Sequence, residues 1–147
     1  TLAKLAFEAG ANWMTVICAA PLATFASALE VAHLHQGDIQ IELFGNWTLE
    51  EAKRWRELGL TQAIYHRGRD AQASGQQWSP QDLDTMKALS DLGFALSVTG
   101  GITPDELSQF KQIDVKAFIV GRALSESADG LATAAEFHQA IANIWGH

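Results

Sequence analysis

A chain of 147 residues with 48% hydrophobic and 18% charged residues has the length and apolar content of one globular domain, which excludes a disordered or low-complexity polypeptide. A formal net charge of −7 excludes a general nucleic-acid binder, because phosphate-backbone contacts need clustered cations; a single local electropositive pocket remains compatible. The longest apolar runs, such as Trp13 to Leu22, are too short to span a membrane, and the lone Cys18 forbids an intramolecular disulfide and is compatible with a reducing compartment.

In chain order, a helix-then-strand unit repeats. Leu2, Leu5, Ala6 and Ala9 share a helical face that Gly10 closes. Trp13 to Ala19 is a continuous apolar run, which predicts a strand buried on both faces. Residues 21 to 35 return to helical spacing, and Asp38 to Phe44 is the second strand. Thr48 and Glu51 form a capping box that opens a helix running to Leu58-Gly59. Gln62 to His66 is the third strand, followed by a polar stretch from Arg67 to Pro80 and a helix from about Gln81 to Gly93. Phe94 to Thr99 is the fourth strand and runs into Gly100-Gly101; Thr103-Pro104 then starts a helix, with Thr as N-cap and Pro in the first turn. Val115 to Val120 is the fifth strand, ending in Gly121-Arg122, and the last helix covers roughly Leu131 to Ile144.

Short apolar strands alternating with helices predict an α/β fold with a parallel sheet. A doubly wound nucleotide binder carries its Gly-rich turn after the first strand, whereas (β/α)8 barrels often hold phosphate after strands 7 and 8. Here the Gly-rich turns follow the last two strands. The expectation is therefore a (β/α)8 TIM barrel of which this chain holds strands 4 to 8, residues 1–147 forming a single partial barrel domain. On that reading the chain is truncated at its N-terminus, with exposed outer strands that favour aggregation.

Three clusters carry chemistry. Thr99-Gly100-Gly101 and Gly121-Arg122 suit an anion: glycines admit close approach to backbone N–H groups, and the Arg122 fork matches phosphate oxygens. Each glycine alone also suits a tight βα turn; the pair of loops favours phosphate. Tyr65-His66-Arg67-Gly68-Arg69-Asp70 lies at the C-terminal end of a strand, the edge at which barrels place catalytic groups. His shuttles protons near neutral pH, and Arg neutralises developing negative charge. Glu42 shares a strand face with Gln40 in an otherwise buried strand, where an ionised carboxylate needs a partner or a purpose. Cys18 reads as a core residue, Trp47, Trp55 and Trp145 as packing residues, and His33, His35, His138 and His147 show no metal-ligand spacing.

The runs Gln40-Ile41-Glu42-Leu43-Phe44-Gly45-Asn46-Trp47-Thr48, Tyr65 to Gly75 and Val98-Thr99-Gly100-Gly101 resemble the 3-keto-L-gulonate-6-phosphate decarboxylases of the orotidine-5′-phosphate decarboxylase superfamily, across essentially the whole chain. The sister hexulose-6-phosphate synthases usually read His-Thr-Gly where this chain has His66-Arg67-Gly68, which favours the decarboxylases. The resemblance implies Mg2+-dependent decarboxylation of 3-keto-L-gulonate 6-phosphate to L-xylulose 5-phosphate through an enediolate, in a pentose or ascorbate utilisation route. It implies Glu42, His66 and Arg69 as catalytic residues, and Thr99, Gly101, Gly121 and Arg122 as phosphate ligands. It further implies a cytoplasmic homodimer with a phosphorylated sugar acid as its small-molecule partner and neither nucleic acid nor membrane. The family's Asp-x-Lys-x-x-Asp motif has no counterpart in the chain, so Mg2+ ligands are expected upstream of Thr1, none within the 147 residues, and the chain alone is expected to be inactive. Two alternatives stay open: a hexulose-6-phosphate synthase-type aldolase, and a non-catalytic sugar-phosphate-binding fragment.

Overall fold

The computed structural model describes residues 1–67 and 78–146. Its elements alternate as the apolar periodicity predicts: α1 (Leu2–Glu8), β1 (Trp13–Ile17), α2 (Leu22–Leu34), β2 (Asp38–Leu43), α3 (Leu49–Glu57), β3 (Gln62–His66), α4 (Pro80–Asp91), β4 (Ala95–Thr99), a 3-10 helix (Pro104–Phe110), β5 (Val115–Ile119), α5 (Arg122–Ser125) and α6 (Gly130–Trp145). The five strands form one sheet in the order β1-β2-β3-β4-β5, every pair parallel. Consecutive order separates the two architectures: a doubly wound sheet reverses its strand order at the switch point, and this one never does. The fold is α/β, with five successive β/α units of a (β/α)8 barrel.

Strand parity sorts the side chains. One face carries Ile39, Ile41 and Leu43 of β2, Ala63 and Tyr65 of β3, and Leu96 and Val98 of β4, which join Phe25, Leu29, Trp55, Met86 and Leu89 of the helices in one buried cluster. The other face is polar: Asp38, Gln40 and Glu42 on β2, Gln62 and His66 on β3, and Ser97 and Thr99 on β4. Gln40 is buried there and donates to Gln62 Oε1 (3.3 Å) and Ser97 Oγ (3.2 Å), while Gln62 Nε2 donates to Asp38 Oδ2 (2.6 Å). The lower tiers of this face are thus satisfied among themselves, which leaves its upper edge for ligands.

The helix starts follow the local chemistry. Thr48 and Glu51 close the capping box at α3 that the sequence predicts, and Ser79 with Asp82 forms a second at α4. Three features differ from the sequence reading. β1 is not buried on both faces: its residues alternate between exposed and half-buried, because it is an outer strand paired only to β2. The segment begun at Thr103 winds as a 3-10 rather than an α-helix, and the short α5 directly after Gly121 adds an element.

A chain of ring contacts crosses the helix-facing layer: Phe25, Trp55, Trp47, Tyr65, Trp78, Phe110, Phe118 and Trp145, successive centroids lying between 5.2 and 6.4 Å apart. It ties α2 to α6 by way of Tyr65 on β3 and Phe118 on β5, in tilted and edge-on geometries that aromatic quadrupoles favour. No helix among the described residues is long and apolar enough to cross a membrane.

Candidate active site

The C-terminal ends of β2 to β5 surround an open cavity of about 320 Å³. Glu42 enters it from β2, His66 from the last residue of β3 and Thr99 from the last residue of β4. Gly100, Gly101 and Ile102 contribute the loop after β4, and Gly121 and Arg122 the loop after β5. The register explains the convergence. Glu42 stands opposite Ile64 and His66 opposite Thr99, so parity sends Glu42, His66 and Thr99 to the same face.

Glu42 Oε1 lies 2.9 Å from His66 Nε2, and Phe44 sets its ring edge-on to the imidazole at 6.1 Å and 85°. A carboxylate accepts only, so the imidazole donates Nε2–H and its other nitrogen, Nδ1, stays available to exchange a proton. Carboxylate and aromatic edge together restrict the ring's orientation. The two side chains remain 38% and 28% exposed, which keeps them in reach of a ligand.

Across the cavity, Gly100 and Gly101 adopt φ of +122° and +64°, conformations that a side chain at Cβ disfavours, and so bring bare backbone to the cavity wall. Thr99 commits its hydroxyl proton to the Ile119 carbonyl (3.0 Å) and so bridges β4 and β5, leaving its oxygen lone pairs toward the site. Gly121 precedes α5 with φ −111° and ψ −91°, and the exposed Arg122 follows at the rim.

The structure therefore brings Glu42, His66, Thr99, Gly101, Gly121 and Arg122 to one cavity. Arg69, within the polar stretch after β3, lies outside the described residues. The sequence reading gave no role to Phe44, Ile102 or Arg67. The parity signal for Phe44 was legible, since it stands two residues after Glu42. Arg67 follows His66 directly and is 8% exposed, held between the carbonyls of Gly100 and Gly101 and the carboxylate of Glu106.

The donor set does not fit Mg2+. Among the described residues no three His, Cys, Asp or Glu side chains group to hold a metal, and Glu42, the only carboxylate they bring to the cavity wall, is engaged by His66. Cys18 is buried against the Phe44 backbone, with Sγ 3.2 Å from its carbonyl oxygen, a packing position.

Comparison with known proteins places this geometry. Residues 1–137 match the family described as Orotidine 5'-phosphate decarboxylase / HUMPS family. The chain is 62% identical over 146 residues to 3-keto-L-gulonate-6-phosphate decarboxylase SgbH of Escherichia coli (strain K12), covering 99% of this chain and 66% of that protein. The structure superposes with a TM-score of 0.92 on 3-keto-L-gulonate-6-phosphate decarboxylase from Vibrio cholerae O1 biovar El Tor str. N16961, at 51% identity, over 98% of this chain and 67% of that one. It superposes equally well, TM-score 0.92 at 40% identity, on KGPDC from Streptococcus mutans in complex with a phosphorylated D-sugar, over 99% of this chain and 68% of that one. The chain thus spans about two thirds of the length of these proteins.

Proposed function

The chain belongs to the orotidine 5′-phosphate decarboxylase / HUMPS family, and from that premise we propose that the protein carrying it decarboxylates 3-keto-L-gulonate 6-phosphate to L-xylulose 5-phosphate. The observation that carries the proposal is the division of one cavity into two ends. Glu42 and His66, 2.9 Å apart, form a proton-handling pair at one end, and the glycine loops after β4 and β5 with Arg122 form an anion seat at the other. A substrate with a phosphate at one end and a carboxylate near a carbonyl at the other needs both.

The phosphate binds at Thr99, Gly101, Gly121 and Arg122, which fixes the sugar along the cavity and brings its reacting carbons toward β2 and β3. Cleavage of the bond to the carboxylate carbon releases CO2 and leaves the electron pair on the substrate as an enediolate. A proton must then reach that carbon. His66, anchored through Nε2 to Glu42, delivers it from Nδ1 or through a water held there. Arg69, three residues on, is assigned to the developing negative charge. The described residues build no Mg2+ site, so no step is routed through the metal that the resemblance implies. The cytoplasmic homodimer belongs to the same reading; sedimentation of the full-length protein at twice its monomer mass supports it, and a monomer removes it.

The test is CO2 release from 3-keto-L-gulonate 6-phosphate by full-length protein carrying this sequence. Turnover is expected, with a loss of roughly 10²- to 10⁴-fold in His66→Gln. Absence of CO2 release defeats the proposal. Formaldehyde-dependent consumption of ribulose 5-phosphate outpacing decarboxylation would replace it with an aldolase.

A further inference from the structure

Arg67 stands one residue beyond His66, so parity turns its side chain away from the Glu42–His66 pair and toward the loop after β4. Its backbone N–H donates to the Thr99 carbonyl (3.0 Å), which extends the β3–β4 ladder by one step. Its guanidinium donates through Nε to the Gly100 carbonyl (2.8 Å) and through Nη2 to the Gly101 carbonyl (2.7 Å), and Nη1 meets Glu106 Oε1 at 3.2 Å. The Trp78 ring lies against it, 5.0 Å from centroid to Cζ. Glu106 is fixed in turn, because its other oxygen accepts the Thr103 N–H at 2.9 Å. One buried fork thus grips two consecutive glycine carbonyls.

The consequence follows from peptide geometry. All the peptides are trans, and in a trans unit the C=O and the next N–H point in opposite directions. Drawing the Gly100 carbonyl to Arg67 turns the Gly101 N–H away from Arg67, and drawing the Gly101 carbonyl turns the Ile102 N–H likewise. Neither N–H donates to any backbone carbonyl or side chain among the described residues, and both residues line the cavity together with Gly121 and Arg122. Two glycines in sequence have wide conformational freedom, so this orientation needs an external anchor.

We propose that Arg67 is a positioning residue for the anion seat: it holds the Gly100 and Gly101 carbonyls so that the Gly101 and Ile102 N–H groups face the substrate's phosphate. The inference rests on the reading of that seat as the phosphate site. Arg67 touches no substrate itself. A lysine does not replace it, because a point charge has no rigid fork to hold two carbonyls and a carboxylate at once. The arrangement also links the two ends of the cavity, since the residue that fixes the phosphate loop is the chain neighbour of His66.

The experiment titrates full-length protein with D-ribose 5-phosphate, and with D-ribose as the control lacking phosphate, while following backbone amide resonances. Wild-type protein is expected to show saturable shifts at the Gly101 and Ile102 amides with D-ribose 5-phosphate alone. Arg67→Met is expected to weaken D-ribose 5-phosphate roughly 10- to 100-fold, the scale of a small misplacement of positioning groups. Its Gly101 and Ile102 shifts are lost while the Arg122 amide still responds, and KM for the phosphorylated substrate rises by the larger factor while kcat changes by the smaller. Arg67→Lys is expected to restore only part of the affinity. Wild-type affinity in a folded Arg67→Met, or full rescue by Arg67→Lys, overturns the proposal. Failure of wild-type protein to bind D-ribose 5-phosphate would instead overturn the phosphate site itself. Should Arg67→Met not fold, Glu106→Gln, which loosens one tether of the guanidinium, must still weaken D-ribose 5-phosphate severalfold; unchanged affinity there also overturns the proposal.

Discussion

Replacing Phe110 with Ala tests the packing that supports the anion seat. Phe110 ends the 3-10 helix that carries Glu106, is fully buried, and meets Trp78 edge-on at 5.2 Å and Phe118 at 5.5 Å. Returning a buried Phe side chain to water forgoes about 1.5–3 kcal/mol, and each lost ring pair adds about 0.5–1.5 kcal/mol. With the cavity left behind, the expected loss is about 3–5 kcal/mol, which for a chain of this size lowers Tm by roughly 6–20 °C. Phe110→Leu keeps most of the volume but neither ring pair, so it should cost about 1–2 kcal/mol. Phe44→Ala, at a half-exposed ring, should cost under about 1 kcal/mol. Urea unfolding followed by far-ultraviolet circular dichroism ranks the three. A loss below about 1.5 kcal/mol for Phe110→Ala, or an equal loss for Phe110→Leu, would refute the assignment of stability to this contact.

Gly37→Ala should destabilise by roughly 2–3 kcal/mol, since a Cβ there would stand 2.5 Å from Phe7 Cε1 and 2.7 Å from the Asn12 carbonyl oxygen. Gly10→Ala meets no atom but has φ +96°, so only backbone strain of about 1–2 kcal/mol applies; thermal melts that reverse this order would contradict the clash. Asp82 gives a pH dependence. Burial raises its carboxyl, but the Ser79 hydroxyl and N–H, the Tyr65 hydroxyl and the Arg67 charge together outweigh that and hold it below the usual 3.8. Because the folded value is depressed, the stabilisation is complete above the unfolded value and fades as pH falls through the folded one. The deficit of Asp82→Asn relative to wild type should therefore be largest at neutral pH and shrink near pH ~3; a deficit independent of pH would exclude this linkage.

The fold was legible wherever one periodicity dominates. Residues Gln62 to His66 are bounded by turn chemistry on one side and by the polar stretch on the other, and β3 occupies the span that the sequence predicts. The burial of β1 was not legible, because an apolar run looks the same on an inner and an outer strand, and only the pairing tells them apart. The 3-10 winding after Thr103 also lay outside local chemistry. Its cap obeys the sequence rule, yet Glu106 answers to Arg67, thirty-nine residues away. The same separation hid Arg67. In sequence it is one charge among several after His66, and its role exists only once β3 and β4 lie side by side.

The line of rings from Phe25 to Trp145 has an optical consequence. Four of the five tryptophans, Trp47, Trp55, Trp78 and Trp145, sit in it with neighbours close enough for their transitions to couple, while Trp13 stands apart on the outer strand, 55% exposed. Emission from the protein therefore divides into a collective inner signal and one solvent-lit reporter, so excitation of any inner ring reads the whole layer behind the site, and quenching of Trp13 reads the open edge alone.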